Sequence, residues 1–174
     1  VQIHANQLTT RLAKLTGAEA HLLSAPGVAQ SREAKLVLLG DTYVRETMEL
    51  FGKVTLAIVG IGAIEPSSML ARSGNVFTTR ELAAVKEAGG VGDISLRFFD
   101  SDGNSVKTPL DDRVIGMTLG ELSGIDRVIA LAGGESKTRA IHGALMSGVI
   151  DHLVTDKFTA GRLVSDDPDH FKAE

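Results

Sequence analysis

Three short runs rich in β-forming residues, each closed by glycine or by a small polar turn, constrain this chain more than any other feature. Val54–Val59 runs into Gly60–Ile61–Gly62, Arg127–Leu131 leads to Gly133–Gly134, and His152–Thr155 leads to Asp156. The first run is apolar on both faces, as a strand buried inside a parallel sheet must be. Helix signals fill the gaps. Thr78 with Glu81 and Thr118 with Glu121 have capping-box spacing, and helices are predicted over residues 136–146 and 157–164. Upstream, Leu8, Leu12 and Leu15 recur at i, i+4 and i+7, which predicts a helix over residues 5–16 stopped by Gly17. A second helix is predicted over 31–39, closed by Gly40, and Asp41 is placed to cap a third that runs through Phe51. Residues 20–25 are read as a strand ending at Pro26–Gly27, residues 94–99 as a strand entering the turn at 100–103, and residues 66–72 as a short helical turn. Strands alternating with helices define an α/β fold, a mostly parallel sheet with helices on both faces. No repeat or linker divides it, so residues 1–174 are read as one domain.

Composition removes several classes of function. The 174 residues carry a formal net charge of −4, with no Lys/Arg cluster longer than two or three. A chain that grips a phosphate backbone by itself needs a basic patch, so specific DNA binding by this chain alone is not expected. Aromatics are only 4%, with no Trp and one Tyr, which leaves no base-stacking platform. With no Cys, disulfides, thiolate metal sites and thiol nucleophiles are excluded. His4, His21, His142, His152 and His170 include no pair at metal-ligand spacing with a carboxylate in reach. No metal and no cofactor are expected. The longest apolar stretch, residues 54–64, is too short to span a bilayer, and no signal peptide opens the chain; no membrane partner and a cytoplasmic location are expected.

In open parallel sheets ligands bind beyond the carboxyl ends of the strands, so the loops there are the candidate site. They are Pro26–Gly27, Gly60–Ile61–Gly62, Gly133–Gly134 and Thr155–Asp156. Glycine admits close backbone approach to a ligand, although it also serves simply to end strands. Gly60–Ile61–Gly62 does not complete a dinucleotide fingerprint, because Glu65 stands where the third glycine belongs and Pro66 follows. Gly134-Glu-Ser-Lys137-Thr138 echoes the end of a phosphate-binding loop, but Ser136 replaces the glycine before the lysine. Lys137 is the notable cation. It falls in the first turn of a helix, an end that disfavours positive charge, so an anionic ligand, a nearby carboxylate or plain solvation must settle it. Asp93 after Gly92 is either an acceptor for ligand hydroxyls or the residue that turns the chain into a strand. Ser67, Ser68 and Thr155 are candidate hydroxyl donors.

Taken in order, Leu22-Leu-Ser-Ala-Pro26-Gly27, Val59-Gly-Ile-Gly62, Gly89-Gly-Val-Gly-Asp93 with Phe98-Phe-Asp100 and Gly103, Arg113-Val-Ile-Gly116, Ala132-Gly-Gly134-x-x-Lys137-x-x-Ala140-Ile141 and Leu153-Val-Thr-Asp156-x-x-x-Ala160 resemble the sugar-binding domain of SorC-type bacterial transcriptional regulators. The resemblance covers residues 1 to about 164. It implies a fold similar to sugar-phosphate isomerases and deaminases, a phosphorylated sugar or polyol as effector, and no catalysis. It also implies oligomers, dimers or tetramers, and DNA contact only through an N-terminal helix-turn-helix outside this chain. Within the family pattern Asp93 binds effector hydroxyls, Lys137 contacts the effector, and the loops at Pro26–Gly27 and Gly60–Gly62 line the pocket. The chain opens on Val1, just past where the family places a first strand with a Gly/Thr-rich loop that helps hold the effector phosphate; it is read as part of a longer protein. The alternative on the same fold is an enzyme, an isomerase or deaminase of sugar phosphates.

Overall fold

The structure, a computed structural model, describes residues 2–64 and 77–165. The expected helical turn at 66–72, Ser67, Ser68, His170 and the polar tail from Asp166 lie outside these. The described residues form two compact units, one of 54–64, 78–111 and 117–165, the other of 2–53, 77 and 112–116.

The smaller unit is helical. Helix α1 (Gln2–Thr16) forms as its spacing predicts, with Leu8, Leu12 and Leu15 exposed. Ser31 caps α2 (Arg32–Gly40), its Oγ accepting from the Ala34 N–H at 3.1 Å. Asp41 caps α3 (Thr42–Glu49), one carboxylate oxygen accepting from the Tyr43 and Val44 N–H groups at 2.9 and 3.2 Å. Both caps satisfy donors that a helix start leaves open. Ala25, Ala29, Val44 and Ile115 are buried together, with Leu23, Ala34, Leu38, Leu39 and Met48 packed around them. Residues 20–25 are not a strand. An apolar run becomes one only by pairing, and the pairing near it is an isolated antiparallel bridge of Val28 with Val114. Its hydrogen bonds run from Ala29 N to Arg113 O at 2.8 Å and from Ile115 N to Gly27 O at 2.9 Å.

The larger unit carries the parallel sheet. Strands β1 (Leu56–Gly60), β5 (Arg127–Leu131) and β6 (His152–Val154) lie in the order β1-β5-β6, all parallel. Ala57, Val59, Val128, Ala130 and Leu153 share one core with Leu119 and Leu122 of α5 (Leu119–Ser123) and Ala140, Ile141 and Ala144 of α6 (Thr138–Met146). Burial on both faces, expected for β1, holds on one face: Leu56 and Ile58 are 49% and 56% exposed, as are Leu131 and Val154 to a similar degree. Capping boxes form at Thr78 before α4 (Thr79–Glu87) and at Thr118 before α5, as their spacing predicts.

A second, antiparallel sheet joins β2 (Gly62–Ala63), β3 (Gly92–Ile94) and β4 (Arg97–Phe99). The single strand expected over 94–99 is therefore a hairpin that turns at Ser95–Leu96. Both turn residues have positive φ, 53° and 65°. The sequence shows no Asn-Gly or Asp-Gly there, the usual mark of such a turn, so apolar pattern alone reads straight through it. Arg97, the first residue of β4, is buried. Its Nη1 pairs with Asp111 Oδ1 at 3.0 Å and its Nε donates to Met117 O at 3.2 Å.

Candidate functional site

The candidate residues of the larger unit gather at the carboxyl ends of β1, β5 and β6, where a parallel sheet presents its loops. Gly60 ends β1, Gly133 and Gly134 follow β5, and Thr155 and Asp156 follow β6. Asp93 reaches the same end because β3 pairs with β2, which sets Asp93 opposite Gly62. Pro26 and Gly27 belong to the other unit, where the Gly27 carbonyl accepts from Ile115 N.

Gly62 and Asp93 are made for each other. A Cβ on Gly62 would run into Asp93 Oδ1, so this position needs glycine to leave room for the carboxylate. Gly60, by contrast, has open space around it. Asp93 Oδ2 accepts the Leu96 N–H at 3.0 Å and so holds the turn of the hairpin. Of the two roles open to it in the sequence, the hydrogen bond to Leu96 carries the turn role. Burial pushes its carboxyl up from 3.8 to about 6, against the Leu96 hydrogen bond and the nearby Lys137 charge, which both pull it down.

Lys137 is partly buried, in a short 3-10 turn (Glu135–Lys137) that opens α6. Its ammonium donates to Ile61 O at 2.9 Å. The conflict of a cation at a helix start is therefore met by a backbone carbonyl, with the Asp93 carboxyl at the same end of the sheet. Ile61 was invisible as a participant because only its backbone takes part; its side chain is core. Together Lys137 and Asp93 present a strong donor beside a strong acceptor, the pairing that suits adjacent hydroxyls of a polyol.

Asp156 is engaged in holding the loops. Its Oδ1 caps α7 (Lys157–Leu163), accepting from Phe158 N at 3.0 Å and Thr159 N at 2.9 Å. Its Oδ2 accepts from Gly134 N at 2.9 Å and from the Thr159 hydroxyl at 2.7 Å. These bonds draw its carboxyl down from 3.8 to about 2. Thr159, fully buried, also takes the Gly134 N–H on its Oγ1 at 2.9 Å. Gly134 sits at φ 105°, where other residues are strained, and a Cβ on Gly133 would stand 2.5 Å from Asp156 Oδ2. The glycine pair is thus clamped to the start of α7. Thr159 was missed in the sequence, although Asp-x-x-Thr is the spacing by which a cap and a buried hydroxyl meet. Among the described residues no group of three or more His, Asp or Glu could hold a metal, and no helix is long and apolar enough to cross a membrane.

An α/β unit with a donor–acceptor pair beyond its parallel strands is the architecture of a small-molecule binding domain. Residues 1–165 match the family described as "Putative sugar-binding domain", and the chain belongs to that family. It is 34% identical over 154 residues to the erythritol catabolism regulatory protein EryD of Brucella abortus, covering 88% of this chain and 48% of that protein. It is 34% identical over 144 residues to the deoxyribonucleoside regulator of Bacillus subtilis, covering 83% of this chain and 45% of that protein. Its fold is similar to part of the full-length sorbitol operon regulator SorC from Klebsiella pneumoniae, with a TM-score of 0.85 at 26% identity over 92% of this chain and 52% of that one. The chain spans about half the length of the curated relatives it matches. The relatives are transcriptional regulators, as the sequence resemblance implied.

Proposed function

We propose that this chain is the effector-sensing domain of a cytoplasmic bacterial transcriptional regulator. It binds a phosphorylated sugar or polyol beyond the carboxyl ends of β1, β5 and β6. Binding shifts a homo-oligomer, a dimer or tetramer, between states of different DNA affinity, and DNA is held by a helix-turn-helix domain N-terminal to this chain. The effector need only prefer one state over the other. The observation that carries the reading is the Lys137–Ile61 O contact beside Asp93 and Gly62, a preformed donor and acceptor with a backbone that leaves them room. Asp93, Lys137, Gly60, Gly62, Gly133, Gly134 and Asp156 are the assigned effector residues of the larger unit, with Asp156 acting by holding the Gly134 loop. The named regulators among its relatives support a regulatory role over a catalytic one.

A thermal-shift panel tests this. Erythritol, 2-deoxyribose and sorbitol, each free and as a terminal monophosphate, are the compounds suggested by the relatives' names. At ~100 times its dissociation constant a true effector adds about 2.7 kcal/mol, a shift of several degrees. Silence across an expanded sugar-phosphate panel contradicts the reading. A sequence-specific, salt-resistant gel shift by this chain alone contradicts the assignment of DNA contact to another domain.

One observation favours the enzymatic alternative: a carboxyl near pH 6 beside a lysine is a usable general base. Asp156, with both oxygens occupied, gives it no second carboxylate. Turnover of a sugar phosphate that binds, lost in Asp93→Asn, decides for the enzyme.

A further inference from the structure

Three threonines lie in the segments that follow β5 and β6, and only one is satisfied. Thr159 exchanges hydrogen bonds with Asp156 and Gly134. Thr138 is 3% exposed, and its Oγ1 is buried with no hydrogen-bond partner among the described residues. The Thr155 Oγ1 is buried and unpartnered in the same way. Both lie in segments that follow the parallel strands β5 and β6. Thr155 directly follows β6, and its Oγ1 lies 3.3 Å from where a Gly133 Cβ would be, so it faces the Gly133 backbone. Thr138 opens α6 four residues after Gly134. Helical Cα–Cβ bonds tilt toward the N-terminus, so its side chain leans toward the end of α6 where the glycine loop enters. The helix start has no side-chain cap from Gly134 or Lys137.

A buried hydroxyl without a partner destabilises the ligand-free fold. Valine has the same shape without that penalty, so nothing in packing alone calls for threonine at either position. Charge decides what these hydroxyls can meet. Asp156 Oδ2 stands beside Gly133, and Asp93 lies beside Lys137. Two carboxylates against one ammonium disfavour a phosphoryl group at this end. An alcohol hydroxyl is neutral and both gives and accepts a hydrogen bond, as threonine does.

We propose that Thr138 and Thr155 are specificity-determining residues that hydrogen-bond hydroxyls on the uncharged polyol portion of the effector. This rests on the effector reading above and adds to it which residues read the hydroxyl pattern.

The test uses the intact protein, its Thr138→Val, Thr155→Val and Thr138→Ser variants, the six-compound panel above, and inorganic phosphate. Without ligand, both valine variants melt at or above the wild-type temperature. With whichever panel compound shifts the wild type, their affinity falls roughly 3- to 10-fold each, the span of one neutral hydrogen bond, and Thr138→Ser keeps its affinity. Wild-type affinity in both valine variants overturns the proposal while leaving the effector reading in place. A wild type that no panel compound shifts removes the effector reading and this proposal with it. A response to inorganic phosphate that the valine variants lose overturns the polyol assignment in favour of an anion subsite.

Discussion

Asp93 shows how one side chain can hold a turn at a cost to stability. Its carboxyl titrates near 3.8 in the unfolded chain and near 6 in the folded one. A raised carboxyl pKa means the folded state holds its proton longer, so stability falls as pH rises from about 4 to 6 and levels off above. Two pKa units set the upper scale at roughly 3 kcal/mol, reduced where water still reaches the group. Asp93→Asn keeps an acceptor for the Leu96 N–H, so urea midpoints should lose this slope and exceed wild type at pH 7. An unchanged slope would place the burial penalty elsewhere. Asp156 behaves oppositely. Its depressed carboxyl stabilises the fold above about pH 4, and that support is lost as pH falls toward 2. Asp156→Ala should lower the melting temperature at pH 7 and converge on wild type in acid; a pH-independent deficit would contradict the capping role. Lys137 was readable in the sequence because a cation at a helix start poses an electrostatic question. Its answer, the Ile61 carbonyl, was not, because backbone atoms leave no trace in residue identity.

At the scale of elements, the β3–β4 hairpin is where local preference and structure disagree most. Ser95 and Leu96 both occupy the left-handed region, where each non-glycine residue costs roughly 1 kcal/mol. The double change Ser95→Asn, Leu96→Gly supplies a turn suited to that backbone and should raise stability by about 1 kcal/mol in denaturant unfolding, less what the Leu96 side chain contributes. A loss instead would show that the Leu96 side chain outweighs the strain. Such strain gathers where the surrounding structure over-determines the backbone, and here the Asp93 hydrogen bond does so. Capped elements were the ones the sequence announced. Ser31, Asp41, Thr78 and Thr118 each cap the helix that follows them. Residues 20–25 misled because an apolar run records burial and not pairing.

At the scale of the molecule, the parallel order β1-β5-β6 puts three loops at one sheet end, and this much followed from glycines placed after β-rich runs. The second sheet is hidden in the sequence because β2 is two residues long and the apolar pattern runs from Ile94, the last residue of β3, straight through the turn into β4. Yet that sheet delivers Asp93 to Gly62, so the site depends on the part of the fold least evident in the sequence. Gly62→Ala should therefore leave a folded protein whose Asp93 carboxylate is displaced, with effector-induced stabilisation lost. Full effector response in Gly62→Ala would show that the carboxylate position does not matter.

The central claim is that Lys137 and Asp93 hold the effector. It is tested most directly by calorimetric titration of the panel compound that stabilises the wild type into wild-type and Lys137→Ala protein of equal fold by circular dichroism. Loss of a charged hydrogen bond predicts affinity weakened by about 10- to 100-fold in the variant; equal affinity in the two proteins would contradict the account.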